Sequence, residues 1–213
     1  DLLRCLDGTD LCRRVMVCDV TSPALVLGST QPDGDVDWER AASKQVDVTR
    51  RSGGGGCVFV APGAQVWLEV WLPRSDPLWV DDVAKSFFWL GDTWLRALRA
   101  LGVRDVAVCP EASIGNPLAR RICFAGRGPG EVLADGRKVV GLSQRRNRLG
   151  SAFHAASLLT WDPQVVLELL LDDNDQRSRA SESRLLLEQA ARGLGDVVTK
   201  LELEEAFLAA LPG

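Results

Sequence analysis

The sequence contains one histidine, His154, and no Cys-x-x-Cys pair, so its six cysteines lack the partners of a Cys/His zinc site. No metal site is therefore expected. No run approaches the ~18 apolar residues of a membrane-spanning helix, and no signal-peptide pattern opens the chain. These absences lead to the expectation of a soluble, cytoplasmic protein with free thiols and no membrane partner. A strong positive balance is also missing. The formal net charge of −4 argues against a dedicated nucleic-acid binder, so any basic patch is local. Beyond four consecutive glycines there is no low-complexity tract, and no internal repeat. Those glycines are neither a P-loop, since no Gly-Lys-Ser/Thr follows, nor a dinucleotide fingerprint, since a strand comes next.

At 213 residues the chain is long enough for one domain with a substantial core. Residues 1–12 are ambiguous between a short helix and an arm. Strands are expected at Val15–Val20, Ala24–Leu27 and Val46–Arg50, with a helix over Val36–Gln45 capped by Asp35. Cys57–Ala61 and Gln65–Leu72 read as a hairpin around Pro62-Gly63. A long helix is predicted from Asp76-Pro77 to Leu101, because Trp79, Val83, Phe87, Leu90, Trp94 and Leu98 recur at three- and four-residue spacings; Gly102 closes it. An aromatic stripe of that period reads as core. Strands follow at Asp105–Cys109, Glu131–Ala134, Lys138–Gln144 and Ser151–Leu159, then helices after Asp162-Pro163 and near Ser183–Arg192 and Leu201–Leu211, with a polar linker at Asp172–Ser178. Strands in runs, with helices mostly apart from them, indicate an α+β fold with a mixed, largely antiparallel sheet packed by helices.

Three features could carry chemistry. Ala134-Asp135-Gly136-Arg137 is a hairpin turn, and Lys138 opens its second strand. Between Arg137 and Arg148 lie five cations and no acid, which also fits a solvated basic hairpin. The second feature is Arg50-Arg51-Ser52-Gly53-Gly54-Gly55-Gly56. Packing does not call for four glycines in a row, and their N–H groups can approach a ligand closely, with Arg50 or Arg51 supplying charge; a flexible surface loop is the plainer alternative. The third is Cys123. Flanked by Arg120, Arg121 and Arg127, it is either a nucleophile or an ordinary buried cysteine beside Phe124. His154 sits in an apolar strand with no carboxylate signature beside it, so no catalytic triad is read.

Taken in order, these segments resemble one family. Arg50-Arg51-Ser52-Gly53-Gly54-Gly55-Gly56-Cys57-Val58 is similar to the Arg-Arg-x-x-Gly-Gly-Gly-Ala-Val loop of lipoate–protein ligases and octanoyltransferases. Gly136-Arg137-Lys138-Val139-Val140-Gly141-Leu142-Ser143-Gln144 resembles their lysine motif, Gly-x-Lys-Ile-x-Gly-x-Ala-Gln. His154 with Ser157-Leu158-Leu159 resembles the His-Gly-Ser/Thr-Leu-Leu that follows, and Leu25–Gln31 the early Gly-x-x-Gln strand end. The matches cover roughly residues 24–160. Biotin ligases share the implied α+β catalytic domain, but their Gly-Arg-Gly-Arg signature is absent.

The resemblance implies a single catalytic domain over residues 1–213, with a core of about 13–171 and a C-terminal helical extension of about 179–213. It implies Lys138 and Cys123 as catalytic residues, and Arg50, Arg51, Gly53, Gly54, Gly55, Gly56, Gly141, Ser143 and His154 as substrate-binding residues. The implied activity moves an octanoyl or lipoyl group onto a lysine of a lipoyl carrier domain of the glycine-cleavage H protein or 2-oxoacid dehydrogenase E2 type. Cys123-Phe124 ahead of the lysine hairpin resembles the branch that takes octanoyl from acyl carrier protein as a cysteine thioester and needs no cofactor. The alternative is a ligase that activates free lipoate or octanoate with ATP and Mg²⁺. A third reading, a non-catalytic homologue that binds acyl or lipoyl groups, is raised by Val60-Ala61 standing where many members have His-Asp. Cys57 for alanine and Ala155 for glycine are further departures. Only about fifty residues follow position 160, fewer than the accessory domain of larger ligases needs, which favours a transferase or single-domain ligase unless a partner chain supplies the rest.

Overall fold

The computed structural model describes residues 12–113, 116–171 and 180–213. Six strands form an antiparallel sheet in the spatial order β1 (Arg14–Cys18), β5 (Gln65–Pro73), β9 (Gly150–Leu158), β8 (Arg137–Arg146), β7 (Val132–Ala134) and β6 (Val106–Val108). In a second sheet, β2 (Ala24–Leu27) lies between parallel β3 (Asp47–Arg50) and antiparallel β4 (Val58–Val60). The helices are α1 (Trp38–Ser43), α2 (Phe88–Ala100), α3 (Pro163–Leu169), α4 (Ala180–Ala190) and α5 (Lys200–Ala210). The fold is α+β, as the strand runs indicate.

The two faces of the large sheet do different work, because side chains alternate along each strand. Val66, Leu68, Val70 and Leu72 of β5 and Phe153 and Ala155 of β9 pack with Leu90, Trp94 and Leu98 of α2 and with Leu203 and Phe207 of α5. The Trp94 and Phe207 rings lie 4.5 Å apart. On the opposite face the register makes three rows across β5, β9 and β8: Trp67–Ala156–Gly141, Glu69–His154–Ser143 and Trp71–Ala152–Arg145. The second sheet covers part of that face, with Val26, Val58 and Val60 packing beside Ala156 and Trp67.

Several local expectations change. Cys57–Ala61 and Gln65–Leu72 are not a hairpin: β4 pairs with β2, while β5, apolar enough to be buried on both faces, takes the centre of the large sheet. The long helix starts at Phe88 rather than Asp76. Asp76 is held by Arg13 at 3.0 Å and by the Leu78 N–H, and Trp79 lies under the Arg146 guanidinium, 4.6 Å from ring centre. Periodicity carried Trp79 and Val83 into the helix on paper, although Val83 is exposed. Gly102 does close α2, with φ +78°. In α1 the cap is Asp37, which accepts from the Arg40 N–H, while Asp35 ends a preceding 3-10 turn. Cys123 opens a 3-10 turn, Cys123–Ala125. The expectations for residues 1–11 and for the linker 172–178 lie outside the described residues.

The C-terminal helices bury Leu187, Leu194, Val198, Leu203 and Phe207. Thr199 and Glu202 form a reciprocal capping box at the start of α5. The chain after α4 also reaches the centre of the sheet, where the Arg192 N–H donates to the Lys138 carbonyl at 3.1 Å. Phe207→Ala should therefore lower global stability by about 3–5 kcal/mol in urea unfolding, since it opens a cavity against Trp94.

Candidate active site

The β7–β8 turn is formed by Asp135 (φ +50°) and Gly136 (φ +71°), two consecutive left-handed residues of the kind that close a two-residue hairpin. Just beyond the turn the register slips: Leu133 faces Lys138 and Val132 faces Val140, leaving Val139 as the extra residue. Such a bulge re-aims side chains. Lys138 is consequently buried, at 1% exposure, rather than part of a solvated basic face.

A buried ammonium needs an anion and acceptors. Glu131 Oε1 lies 2.7 Å from Lys138 Nζ, and the lysine donates to the Cys123 carbonyl at 2.8 Å and the Gly126 carbonyl at 3.2 Å. Three acceptors satisfy its three N–H bonds. Glu131 is tied in turn by the Gly128 N–H at 2.7 Å and the Leu142 N–H at 3.1 Å. Burial works against the lysine's charge, but the neighbouring Cys123 and Glu131 outweigh it and hold its pKa above the usual value. The thiol of Cys123 lies 3.9 Å from the same Nζ. Phe124 and Gly141 complete the lysine's surroundings: Nζ is 5.0 Å from the Phe124 ring centre, and a Cβ on Gly141 would stand 3.1 Å from that ring and 3.3 Å from Lys138 Cε.

The glycine loop lies over these groups. Gly28 packs so closely on it that a Cβ there would stand 1.8 Å from the Gly55 carbonyl oxygen. Gly53 rests on Ser143 and His154; a Cβ would be 2.7 Å from Ser143 Oγ and 3.3 Å from His154 Nδ1. Arg51 is turned inward, donating to the Gly54 and Gly56 carbonyls at 2.7 and 2.9 Å, so it shapes the loop from within. Arg50 donates to the Gly28 and Gln31 carbonyls and pairs with Asp33. Both arginines thus hold the loop frame, although both also line a cavity. Arg121 donates to the carbonyls of Asp35 and Leu171, whereas Arg120 and Arg127 line the same cleft as Cys123, Arg127 donating to the Gly136 carbonyl.

Three neighbouring spaces share lining residues. A cleft of about 280 Å³ is lined by Gly54, Gly55, Gly56, Cys123, Glu131 and Lys138, among others. A neck of about 20 Å³ runs from Cys123 past Val58, Trp67, Phe124 and Gly141 to His154. Beyond it opens a chamber of about 900 Å³ that shares Arg51, Trp67 and His154 with the neck. Every site residue expected from the sequence falls around these spaces or in the walls that shape them. Glu131 enters the sequence reading only as a member of the Cys123-Phe124, Glu131, Gly136-Arg137-Lys138 order that resembles the cysteine-using branch, without a role, and Glu69 is not singled out. Their roles come from strand pairing across 11 and 85 positions, which no local pattern announces.

Cys57 is a different thiol. It is fully buried, and burial, with the neighbouring Cys123 adding to it, pushes its pKa from the ordinary 9.0 up to about 12. Val60 belongs to the apolar cluster with Val26, Val58 and Phe124.

A buried lysine beside a thiol, beneath a glycine loop and at the mouth of a narrow apolar passage, defines the catalytic domain of an acyl-attachment enzyme. The chain belongs to the family of lipoyl protein ligase A/B catalytic domains, whose family model matches residues 4–211. It is an enzyme of lipoyl or octanoyl attachment, a transferase with ligase as the alternative. Similar proteins include octanoyltransferase LipM of Kyrpidia tusciae, 29% identical over 194 residues, covering 87% of this chain and 69% of that one. Octanoyltransferase LipM of an Exiguobacterium species is 25% identical over 150 residues, covering 68% of this chain but 54% of its own length. In fold the chain resembles the bipartite lipoate protein ligase of Thermoplasma acidophilum, with TM-score 0.72 and 18% identity, covering 98% of this chain and 73% of that one. It is equally similar to a lipoate-protein ligase A bound with ATP, with TM-score 0.72 and 18% identity over 97% of this chain and 74% of that one.

The raised pKa of Cys57 has a sign. The folded state keeps a proton that the unfolded chain releases, so this stability is intact below the unfolded value near 9 and is lost as pH rises towards 12. Urea midpoints of the wild type should fall more steeply across that window than those of Cys57→Ala.

Proposed function

We propose that this enzyme transfers an octanoyl group from acyl carrier protein to a lysine of a lipoyl carrier domain through a thioester on Cys123. The observation that carries the reading is the 3.9 Å approach of Cys123 Sγ to Lys138 Nζ in the cleft beneath Gly54–Gly56. In the first half-reaction the Cys123 sulfur attacks the carrier thioester carbon. The new C–S bond forms as the old one breaks, and the carrier leaves as a thiol with the proton lost by Cys123. In the second, the acceptor lysine's amine attacks the Cys123 thioester. An amide forms, the amine proton leaves, and the cysteine thiol is regenerated. Thioester exchange is nearly balanced in energy and keeps the acyl group reactive toward an amine.

Lys138 supplies the fixed cation for the oxyanion of each tetrahedral intermediate. Its three donors already have acceptors, so the substrate oxygen takes the place of the longest contact, to the Gly126 carbonyl. Glu131 keeps the lysine charged and aimed. The names of the LipM relatives support the transferase over the ATP-dependent ligase. The cleft's donor set does the same. Among its described lining residues the one carboxylate is Glu131, whose two oxygens are taken by Lys138, Gly128 and Leu142, leaving a poor seat for the Mg²⁺ of a nucleotide.

Intact-protein mass spectrometry after mixing with octanoyl-acyl carrier protein, without ATP, should show one hydroxylamine-labile octanoyl adduct on wild type and none on Cys123→Ser. Glu131→Gln should load and transfer more slowly, by about 10²-fold or more, because the lysine's charge and aim are both disturbed. Transfer by Cys123→Ser at the wild-type rate, or acylation that depends on ATP and free acid, would overturn the thioester route.

A further inference from the structure

The neck beside Cys123 has a floor that is low at one end and high at the other. One cross-strand row of the large sheet lines it, in the order Gly141 on β8, Ala156 on β9 and Trp67 on β5. Gly141 and Ala156 add at most a methyl group to that floor, so Trp67 is the first large side chain met along the row. Val58 and Phe124 wall the same space, and Cys123 and Trp67 both pack against the apolar cluster that holds them. Towards the next row, Gly53 covers Ser143 and His154, and a Cβ on it would stand 2.7 Å from Ser143 Oγ. An apolar chain that starts on Cys123 therefore has a path across the strands rather than along them.

That path has a length. Neighbouring strands lie about 4.8 Å apart, so the two steps from Gly141 to Trp67 span roughly 9.5 Å. An extended octanoyl chain measures roughly 9 Å from carbonyl carbon to methyl, seven bonds of about 1.5 Å in zigzag. Eight carbons reach the Trp67 ring, and a longer chain runs into it. The neck itself holds only about 20 Å³, less than such a chain needs. Val58, Phe124 and Leu142 are buried walls, whereas Trp67 is half-buried and also borders the chamber of about 900 Å³. The indole is thus the large wall with space behind it.

We infer that Trp67 determines which acyl chain the neck accepts. Its ring gives way towards the chamber to admit the chain and then stands at the methyl end, which sets the preferred length near eight carbons. This rests on the Cys123 thioester proposed above and names the side chain that selects its acyl group. An apolar pocket separates chains that differ by one methylene by roughly tenfold or more, so a single end wall suffices.

The test is a competition on the intact chain. An equimolar mixture of butanoyl-, octanoyl- and dodecanoyl-pantetheine is offered, and the Cys123 adducts are resolved by mass. Wild type should load octanoyl over either competitor by at least about tenfold. In Trp67→Ala the octanoyl-to-dodecanoyl ratio should fall by at least about tenfold, because the space the ring filled takes the added methylenes. Trp67→Phe keeps an aromatic wall and the packing around it, and should lower the same ratio several-fold; it carries the test if the alanine variant does not fold. A purely structural role for the ring would lower every adduct together and leave the ratio alone. An unchanged ratio in the Trp67 variants, or no preference among the three chains in wild type, would overturn the inference and leave the thioester route intact. If wild type forms no adduct with any chain, the thioester route fails instead, and the end wall is read by thermal shift with the free acids. A larger shift with octanoate than with decanoate, levelled or reversed in Trp67→Ala, supports it; an order that Trp67→Ala does not change overturns it.

Discussion

A fully buried lysine cannot remain charged without a fixed anion, and much of this molecule is arranged around that requirement. Glu131 supplies the anion, and two backbone N–H groups hold Glu131 in place. The bulge in β8 turns Lys138 inward, and the tight Asp135-Gly136 turn sets the register that makes the bulge possible. Removing either partner would strand an uncompensated charge in the interior, which is the costly way to break a buried pair. The lysine's carbonyl is in turn capped by the Arg192 N–H, so the C-terminal helices brace the same strand from behind.

Around that pair the architecture divides its labour by strand face. One side of the large sheet is a conventional core closed by α2 and α5. The other side is kept shallow by Gly141, Ser143 and Ala156, and the second sheet and the glycine loop cover it. Arg51 holds carbonyls of the glycine loop in place, and Arg50 those of Gly28 and Gln31 beside it. The result is a narrow space walled by Val58, Trp67, Phe124, Gly141 and Ala156, with Cys123 and His154 also in its lining. It shares Cys123 with the lysine cleft and Trp67 and His154 with a polar chamber. The proposed acyl transfer uses the Cys123 end.

The two thiols near the site illustrate how position, not residue type, sets chemistry. Cys57 and Cys123 lie on adjacent paired segments, with the Cys123 N–H donating to the Cys57 carbonyl at 2.9 Å. Cys57 points into the apolar interior and is held as a neutral thiol. Cys123, on a short 3-10 turn, lines the cleft beside an ammonium. At Cys57 burial outweighs the nearby cations Arg51 and Arg121 and leaves an inert hydrophobe; partial exposure beside an ammonium fits Cys123 to the nucleophile's part proposed for it.

Much of this was legible in the linear chain. Strand alternation, the Asp-Gly turn, the glycine run and the cysteine–lysine order are local patterns, and they sufficed for the α+β class, the family and most of the residues around the site. The helix boundary at Phe88 and the separation of β4 from β5 were not legible, because a periodic apolar pattern does not say which neighbour will bury it. Nor could sequence show that Glu131 charges Lys138, that Arg50 and Arg51 brace the loop, or that His154 meets Glu69 and leaves one nitrogen unpaired. Those facts depend on strand register. A register is chosen by the packing of whole faces, so only the assembled sheets decide which distant side chains share a site.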